Sequence, residues 1–124
     1  MKAILFDLDG VLYTGSHAVE GAASVIKWCL DNAIPHLFLT NTTSRPRSAL
    51  VDKLAGFHIR SVPDDFLTPA LAARQWLRSN INGKIALFIP EATRDEFAEF
   101  EQCDHKAEQG AEAVIIGDLG EAWD

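Results

Sequence analysis

The stretch KAILFDLDGVLY, residues 2–13, decides the fold of this chain. Lys2 to Phe6 is a short, mostly apolar run that enters an Asp/Gly turn at residues 7–10. A continuous apolar run of this length, bounded by turn residues, predicts a strand buried on both faces of a sheet. Such strands occur mainly in parallel sheets that are covered by helices, so the stretch predicts an α/β fold.

Helical and strand patterns alternate along the rest of the chain. Thr68-Pro69 is an N-cap followed by proline at the first helical position, which makes residues 69–79 the clearest helix start. Apolar residues at helical spacing predict an earlier helix through Ala22, Val25, Ile26, Cys29 and Leu30. Further helices are predicted at about 46–56 and 93–100, and further strands at 36–39, 84–89 and 113–116. This order predicts an open, mostly parallel, doubly wound sheet with helices on both faces.

The turn at Asn82-Gly83 is the predicted domain boundary, dividing residues 1–82 from residues 83–124. The segment after it is more acidic and has the pattern of a new βαβ unit. Ala22, Val25, Trp76 and Val114 are predicted to lie in a core rather than in an interface.

Composition excludes several classes of function. The 124 residues are 48% hydrophobic and 23% charged, with a net charge of -7. An acidic chain lacks the clustered Lys and Arg that bind nucleic acid or anionic lipid, and no stretch approaches the roughly 20 apolar residues of a membrane span. A cytoplasmic protein is therefore predicted, without a nucleic-acid or membrane partner. Cys29 and Cys103 lie too far apart to signal a zinc site, and Cys29 is predicted to be a small core residue.

Polar residues follow the first two predicted strands, where ligands collect in sheets of this kind. Asp7 and Asp9 are two residues apart, so one carboxylate could attack and bind a metal while the other moves a proton. The hydroxyl and backbone N–H groups around Thr40 and Asn41 could hold phosphate oxygens. A purely structural role would also explain these residues, because Asp and Gly commonly form the turn after a strand and Thr-Asn commonly caps a helix. A calcium loop is excluded, because it needs Gly at its sixth position and Gly10 is fourth.

Taken together, these residues resemble the haloacid dehalogenase (HAD) superfamily. FDLDGVLY at residues 6–13 is similar to its first motif, hhhDxDGxh, and LFLTN at 37–41 is similar to its second, hhh[ST]N. The run TNTTSR at 40–45 resembles the NagD-like, or 4-nitrophenylphosphatase-like, branch. VIIGDLGEAW at 114–123 resembles a cap segment of the phospholysine phosphohistidine inorganic pyrophosphate phosphatase group.

The resemblance implies a role for each matching residue. Asp7 would be the nucleophile that forms an aspartyl-phosphate, and Asp9 the general acid and base. Thr40 and Asn41 would hold the phosphoryl group, with Arg45 as an additional phosphate contact or a solvated residue. Mg²⁺ would bind the Asp7 carboxylate and the backbone carbonyl of Asp9.

The sequence departs from the family in its later part. A third motif with a Lys and a fourth with an acidic pair are not visible, and Asp118 lacks the second Asp that the fourth motif requires. Lys84 is predicted to be a surface residue. The resemblance therefore implies that residues 1–82 form the N-terminal half of a HAD-like core and residues 83–124 the beginning of a truncated α/β cap.

Two classes of function remain open. One is a Mg²⁺-dependent phosphatase that acts on a small phosphate ester or phosphoamide, with this chain as its N-terminal part and inactive alone. The other is a non-catalytic phosphate-binding or association module. A receiver-type domain is disfavoured, because it would leave Asp9 without a role. The oligomeric state is left open, a homo-oligomer included.

Overall fold

The computed structural model of the protein describes residues 2–122. The chain forms two compact units. The first contains the residues up to Asn41 together with Arg47–Thr68, and the second contains Thr42–Pro46 and the residues from Pro69 onward. The predicted boundary at Asn82-Gly83 falls inside the second unit, because the helix that precedes this turn contributes Leu77 to the second unit's core.

The first unit contains a three-stranded parallel sheet and two helices. Strand β4 lies between β1 and β5, and all pairings are parallel, as predicted for an α/β fold. A short antiparallel hairpin, β2–β3, follows β1. The bounds are β1 Ile4–Asp7, β2 Tyr13–Thr14, β3 His17–Ala18, α1 Ala22–Asp31, β4 His36–Leu39, α2 Arg47–Gly56 and β5 Phe66–Leu67.

The core of the first unit lies on one face of this sheet. Helix α1 turns Ala22, Ile26 and Cys29 inward, at the spacing of successive helical turns. Cys29 is fully buried, which confirms its prediction as a core residue. Phe38 of β4 and Phe66 of β5 pack with ring centroids 5.2 Å apart and are both almost fully buried. Residues from the sheet, α1, α2 and the loops therefore form one apolar cluster.

The opposite face of this sheet carries exposed leucines. Leu5 is 62% exposed, and its parallel partner Leu37 is 38% exposed. Leu67 of β5 is 37% exposed. The prediction that the first strand is buried on both faces is therefore wrong for the residues that the structure describes, because they cover only the face that carries Phe38.

The second unit contains helix α3, Pro69–Asn80, and the parallel strands β6, Lys84–Phe88, and β7, Ala111–Ile116. The helix predicted at 93–100 is instead a 3₁₀-helix at Glu91–Phe97. Both the N–H and the hydroxyl of Thr93 donate to the Pro90 carbonyl, a three-residue spacing that favours 3₁₀ over α geometry. A second 3₁₀ turn is Gly120–Ala122.

A second apolar cluster lies between α3 and the β6–β7 sheet. Its buried members are Leu77, Ile85, Ile89 and Phe97. Lys84 is exposed and pairs with Glu101 at 3.0 Å, which confirms its surface position. Val25, Trp76 and Val114 are 46%, 57% and 53% exposed, so their prediction as core residues is wrong. In each case the apolar pattern correctly predicted a helix or strand, but it did not specify which face of that element is covered by another element.

A cluster of charged side chains joins α3 to the 3₁₀ segment of the second unit. Arg78 donates to both carboxylate oxygens of Glu99, at 2.7 and 2.8 Å. Arg74 donates to Glu99 at 2.9 and 3.0 Å and to Glu96 at 3.1 Å. The hydrogen bonds from Arg78, followed by those from Arg74, lower the pKa of the Glu99 carboxyl to about 2. Glu99 therefore stays ionised in the folded chain over the ordinary pH range.

This lowered pKa predicts a pH-dependent effect of Glu99→Gln. A carboxyl whose pKa is lower in the folded state stabilises the fold above its unfolded pKa, near 4.5, and loses that effect as the pH falls towards 2. We expect the variant to unfold at a lower temperature than the parent chain at pH 7, with the gap closing between pH 4.5 and 2. Thermal unfolding followed by circular dichroism measures this gap. Glu108→Gln makes the same change at an exposed carboxylate before β7 and is the control. A gap that is constant down to pH 2 would contradict the prediction.

Candidate active site

The first candidate site residues lie at the carboxyl end of β1. Asp7 is the last residue of the strand, and Asp9 follows after one residue. Both are exposed, whereas Leu8 between them is fully buried in the core. Burial of Leu8 thus holds the backbone while the two acidic residues remain open to a ligand. The Asp7 Oδ1 atom accepts the Leu8 N–H at 2.8 Å, which leaves Oδ2 available for chemistry.

A tight turn follows Asp9. Gly10 has a φ of +84°, a left-handed conformation that suits glycine. Its N–H donates to the Tyr13 carbonyl at 2.7 Å, and the Leu12 N–H donates to the Leu8 carbonyl at 2.9 Å. The hairpin β2–β3 then begins at once, and sequence reasoning missed it. Gly15-Ser16 between short strand-forming segments was the available signal, since such a pair closes two-residue hairpins.

The register of the parallel sheet brings the second pair of site residues beside the first. Asp7 is aligned with Leu39, the last residue of β4, so Thr40 and Asn41 emerge next to Leu8 and Asp9. Thr40 is half-buried, and its N–H donates to the Leu67 carbonyl of β5 at 3.3 Å. Adjacent strands are about 4.8 Å apart. The carboxyl ends of β1 and β4 therefore gather Asp7, Asp9, Thr40 and Asn41 at one edge of the sheet.

Arg45 belongs to the segment Thr42–Pro46 of the second unit, whereas the other four candidate residues belong to the first. Its side chain is exposed. In the same segment the Thr43 hydroxyl accepts the Asp118 N–H at 2.9 Å, just beyond β7. A Cβ added at Gly117 would come within 3.2 Å of Ile89 and 3.5 Å of Thr43, so a larger residue here would require the Ile89 side chain to shift by a few tenths of an ångström. A phosphate contact by Arg45 stays a prediction.

The donor atoms at the β1 end suit a hard cation. Mg²⁺ prefers oxygen ligands and usually takes one or two carboxylates, with waters and substrate phosphate completing its shell. The Asp7 carboxylate and the Asp9 backbone carbonyl are ligands of that type. Among residues 2–122, no group of three or more His, Cys, Asp or Glu side chains is gathered as a metal site. The protein oxygens therefore fit Mg²⁺ in kind, and water and phosphate would supply most of its ligands.

Comparison with known proteins agrees with the parallel α/β fold and with the positions of the polar residues at the ends of β1 and β4. Residues 4–103 match the family described as haloacid dehalogenase-like hydrolase. This chain belongs to that family. The match includes Asp7, Asp9, Thr40 and Asn41, and the parallel α/β architecture is that of the haloacid dehalogenase-like proteins to which the chain is similar.

Comparison with three known proteins shows how similar this haloacid dehalogenase-like chain is to its relatives in sequence and in structure. An acid sugar phosphatase of Staphylococcus epidermidis is 38% identical over 76 residues, which are 61% of this chain and 29% of that protein. The structure of NagD from Escherichia coli K-12 is 29% identical and covers 94% of this chain and 46% of NagD, with a TM-score of 0.77. A 4-nitrophenylphosphatase from Thermotoga maritima has a TM-score of 0.80 at 19% identity, covering 94% and 44% of the two chains, and supports the fold alone.

The haloacid dehalogenase-like chain spans about a third to a half of the length of these relatives. In the part of the chain that the structure describes, no helix has the length and apolar character needed to cross a membrane.

Proposed function

We propose that the whole protein is a Mg²⁺-dependent phosphatase that hydrolyses a small phosphate ester or phosphoamide in the cytoplasm. The observation that supports this proposal most is the register of β1 and β4 in a haloacid dehalogenase-like chain, because it aligns Asp7 with Leu39, the residue before Thr40. Acidic side chains and neutral hydrogen-bond donors meet there on neighbouring strand ends. The proposal includes a HAD-like core begun by the first unit and a cap begun by the second, so the boundary near residue 69 replaces the one predicted at residue 82.

In the first step, Asp7 Oδ2 attacks the phosphorus atom, and the bond to the leaving oxygen breaks. The hydrogen bond from the Leu8 N–H to Oδ1 keeps the carboxylate oriented for this attack. Asp9 gives its proton to the leaving oxygen of an ester, or to the leaving nitrogen when the P–N bond of a phosphoamide breaks, so that an alcohol or an amine departs rather than an anion. The Thr40 hydroxyl and the Asn41 amide hold the phosphoryl oxygens. The product of this step is an aspartyl-phosphate on Asp7.

In the second step, Asp9 takes a proton from a water molecule that attacks the same phosphorus atom. The bond between phosphorus and Asp7 breaks, phosphate is released, and the Asp7 carboxylate is regenerated. When bound at the Asp7 carboxylate and the Asp9 carbonyl, Mg²⁺ supplies charge neutralisation for the phosphoryl oxygens. Division of one displacement into two gives each step a better nucleophile or leaving group.

Hydrolysis of 4-nitrophenyl phosphate with and without Mg²⁺ tests this function. We expect turnover by the whole protein that is lost in EDTA and restored by Mg²⁺. The 124-residue chain alone is expected to bind Mg²⁺ weakly and to show no turnover above background, because Asp7 is its single candidate carboxylate ligand. Metal-independent turnover by the whole protein would contradict the Mg²⁺ requirement. Robust Mg²⁺-dependent turnover by the chain alone, with its mass confirmed as 13.6 kDa, would contradict the need for further groups.

The alternative is a phosphate-binding module that serves in association with another chain. The exposed leucines at positions 5, 37 and 67 favour it, because apolar sheet surface of this kind is usually covered by a partner. Binding of phosphate by the whole protein without hydrolysis of any phosphate ester or phosphoamide would support this alternative over the phosphatase.

A further inference from the structure

Strand β6 is the central strand of the second unit. On one side it pairs with β7, from Ile85 with Ala113 to Phe88 with Ile116. On its other side Ile85 forms a parallel bridge with Gln102. The Ile85 N–H donates to the Glu101 carbonyl at 2.9 Å, and the Cys103 N–H donates to the Ile85 carbonyl at 2.8 Å. Three parallel segments are therefore ordered Gln102, β6 and β7.

The direction in which the chain progresses across the sheet reverses within this order, although the three segments stay parallel. From β6 the chain runs to Gln102 on one side, and from Gln102 it returns past β6 to β7 on the other. In open parallel sheets, ligands bind beyond the carboxyl ends of the strands at the point where the strand order reverses, because the loops diverge there and leave a crevice. In this unit that point lies between β6 and β7, beyond their carboxyl ends.

A cavity of about 370 Å³ lies beyond the carboxyl ends of β6 and the Gln102 segment, next to this point, and all of its lining residues belong to the second unit. Its volume is within the range of small-molecule sites. The end of β6, including Phe88, forms one part of the wall, and Cys103 and His105 beyond Gln102 form another. Leu119 lies after β7, and Arg94 lies in the 3₁₀ segment. Phe88 as a residue is 49% exposed, and its ring offers an apolar surface to a ligand.

Arg94 is the permanent cation of this cavity. Its Nη2 donates to the Leu87 carbonyl at 3.4 Å, and its Nε pairs with Glu91 at 3.1 Å. The Glu91 side chain is 92% exposed, so this ion pair is weak and open to competition from another anion. Asp104 is the acidic residue in the lining. It is 72% exposed, and its Oδ1 accepts the Lys106 N–H at 2.8 Å, so water and the backbone already solvate its charge.

We propose that this cavity binds a small organic anion, with its carboxylate or phosphate group on the guanidinium of Arg94 and its apolar body against Phe88 and Leu119. Arginine suits this role because its planar fork donates two parallel hydrogen bonds to either group. The site is independent of Asp7 and of the proposed phosphatase activity.

Cys103 provides a reporter of occupancy. It is half-buried in the lining of the cavity, whereas Cys29 is fully buried in the first unit. The rate of Cys103 alkylation by the neutral reagent iodoacetamide, followed by mass spectrometry, is measured on the 124-residue chain. The probes are phenylphosphonate, whose phosphorus–carbon bond resists hydrolysis, benzoate, and the neutral benzyl alcohol. We expect saturable protection by at least one anion and none by benzyl alcohol at the same concentrations.

Variants test the role of Arg94. Arg94→Gln is expected to weaken protection roughly ten-fold or more, because charge-assisted hydrogen bonds are lost. Arg78→Gln removes the same charge from α3 of the same unit, away from the cavity, and is expected to leave protection unchanged. Arg94→Lys keeps the charge without the fork and is expected to weaken protection several-fold. If circular dichroism shows that Arg94→Gln does not fold, the Arg94→Lys variant alone tests whether Arg94 binds the anion.

The pattern of Cys103 protection identifies the chemical class of the ligand. Protection by phenylphosphonate alone identifies a phosphate-type ligand, protection by benzoate alone a carboxylate, and protection by both a general organic anion. Absence of protection, equal protection by benzyl alcohol, or unchanged protection in the folded Arg94 variants would overturn the proposal.

Discussion

Replacement of Asp7 by Asn is expected to abolish phosphate-ester hydrolysis by the whole protein while the fold stays intact. Asn has the shape of Asp and its Oδ1 can still accept the Leu8 N–H, so the turn at the end of β1 keeps its hydrogen bond. The amide is a poor nucleophile and a weaker metal ligand, so the covalent route is lost. We expect kcat to fall by several orders of magnitude, at ~1.4 kcal/mol for each factor of ten. Steady-state hydrolysis of 4-nitrophenyl phosphate measures this loss.

Asp31→Asn is the matched control for this variant. It makes the same chemical change at an exposed aspartate on α1, whose partner is Lys27. We expect it to keep parental turnover, and both variants should keep the parental circular dichroism spectrum. An Asp7→Asn protein that retains more than a tenth of parental turnover would show that Asp7 is not the nucleophile.

Replacement of Asp9 by Asn is expected to separate proton transfer from nucleophilic attack. Asp9 is exposed and lies two residues beyond the end of β1, and its side chain can exchange protons with a leaving group or water. Loss of a general acid and base usually slows a reaction by roughly 10²–10⁴-fold. We expect a loss in this range for alkyl phosphates and a smaller loss for 4-nitrophenyl phosphate, whose leaving group needs little protonation. The ratio of kcat/KM between the two substrates is the measurement.

The dependence on the leaving group distinguishes the two aspartates. Asp7→Asn should impair both substrates to the same extent, because each requires the nucleophile. Equal losses on alkyl and nitrophenyl phosphates for Asp9→Asn would mean that Asp9 acts through the turn at Gly10 or through the metal, rather than as the general acid.

Much of the fold and of the candidate site could be predicted from local sequence. Helix α3 was predicted to begin at Pro69, and it does, because Thr68-Pro69 specifies a helix start without help from distant residues. Strands β1, β4, β6 and β7 were each predicted from an apolar run bounded by turn residues. The 3₁₀ segment was mistaken for an α-helix, since the two differ only in which carbonyl each N–H selects, and apolar spacing does not report that choice.

The sequence by itself determined that this protein is a parallel α/β chain with Asp7 and Asp9 at the carboxyl end of its first strand, because strand, turn and helix patterns depend on neighbouring residues. Only the tertiary structure decided which surfaces are covered and which distant residues meet. It leaves Leu5 exposed while Phe38 is buried, because covering elements pack on one face of the sheet. It aligns Asp7 with Leu39 and brings Arg94 and Cys103 to one cavity, because strand register and the bridge between Ile85 and Gln102 are contacts between residues far apart in sequence.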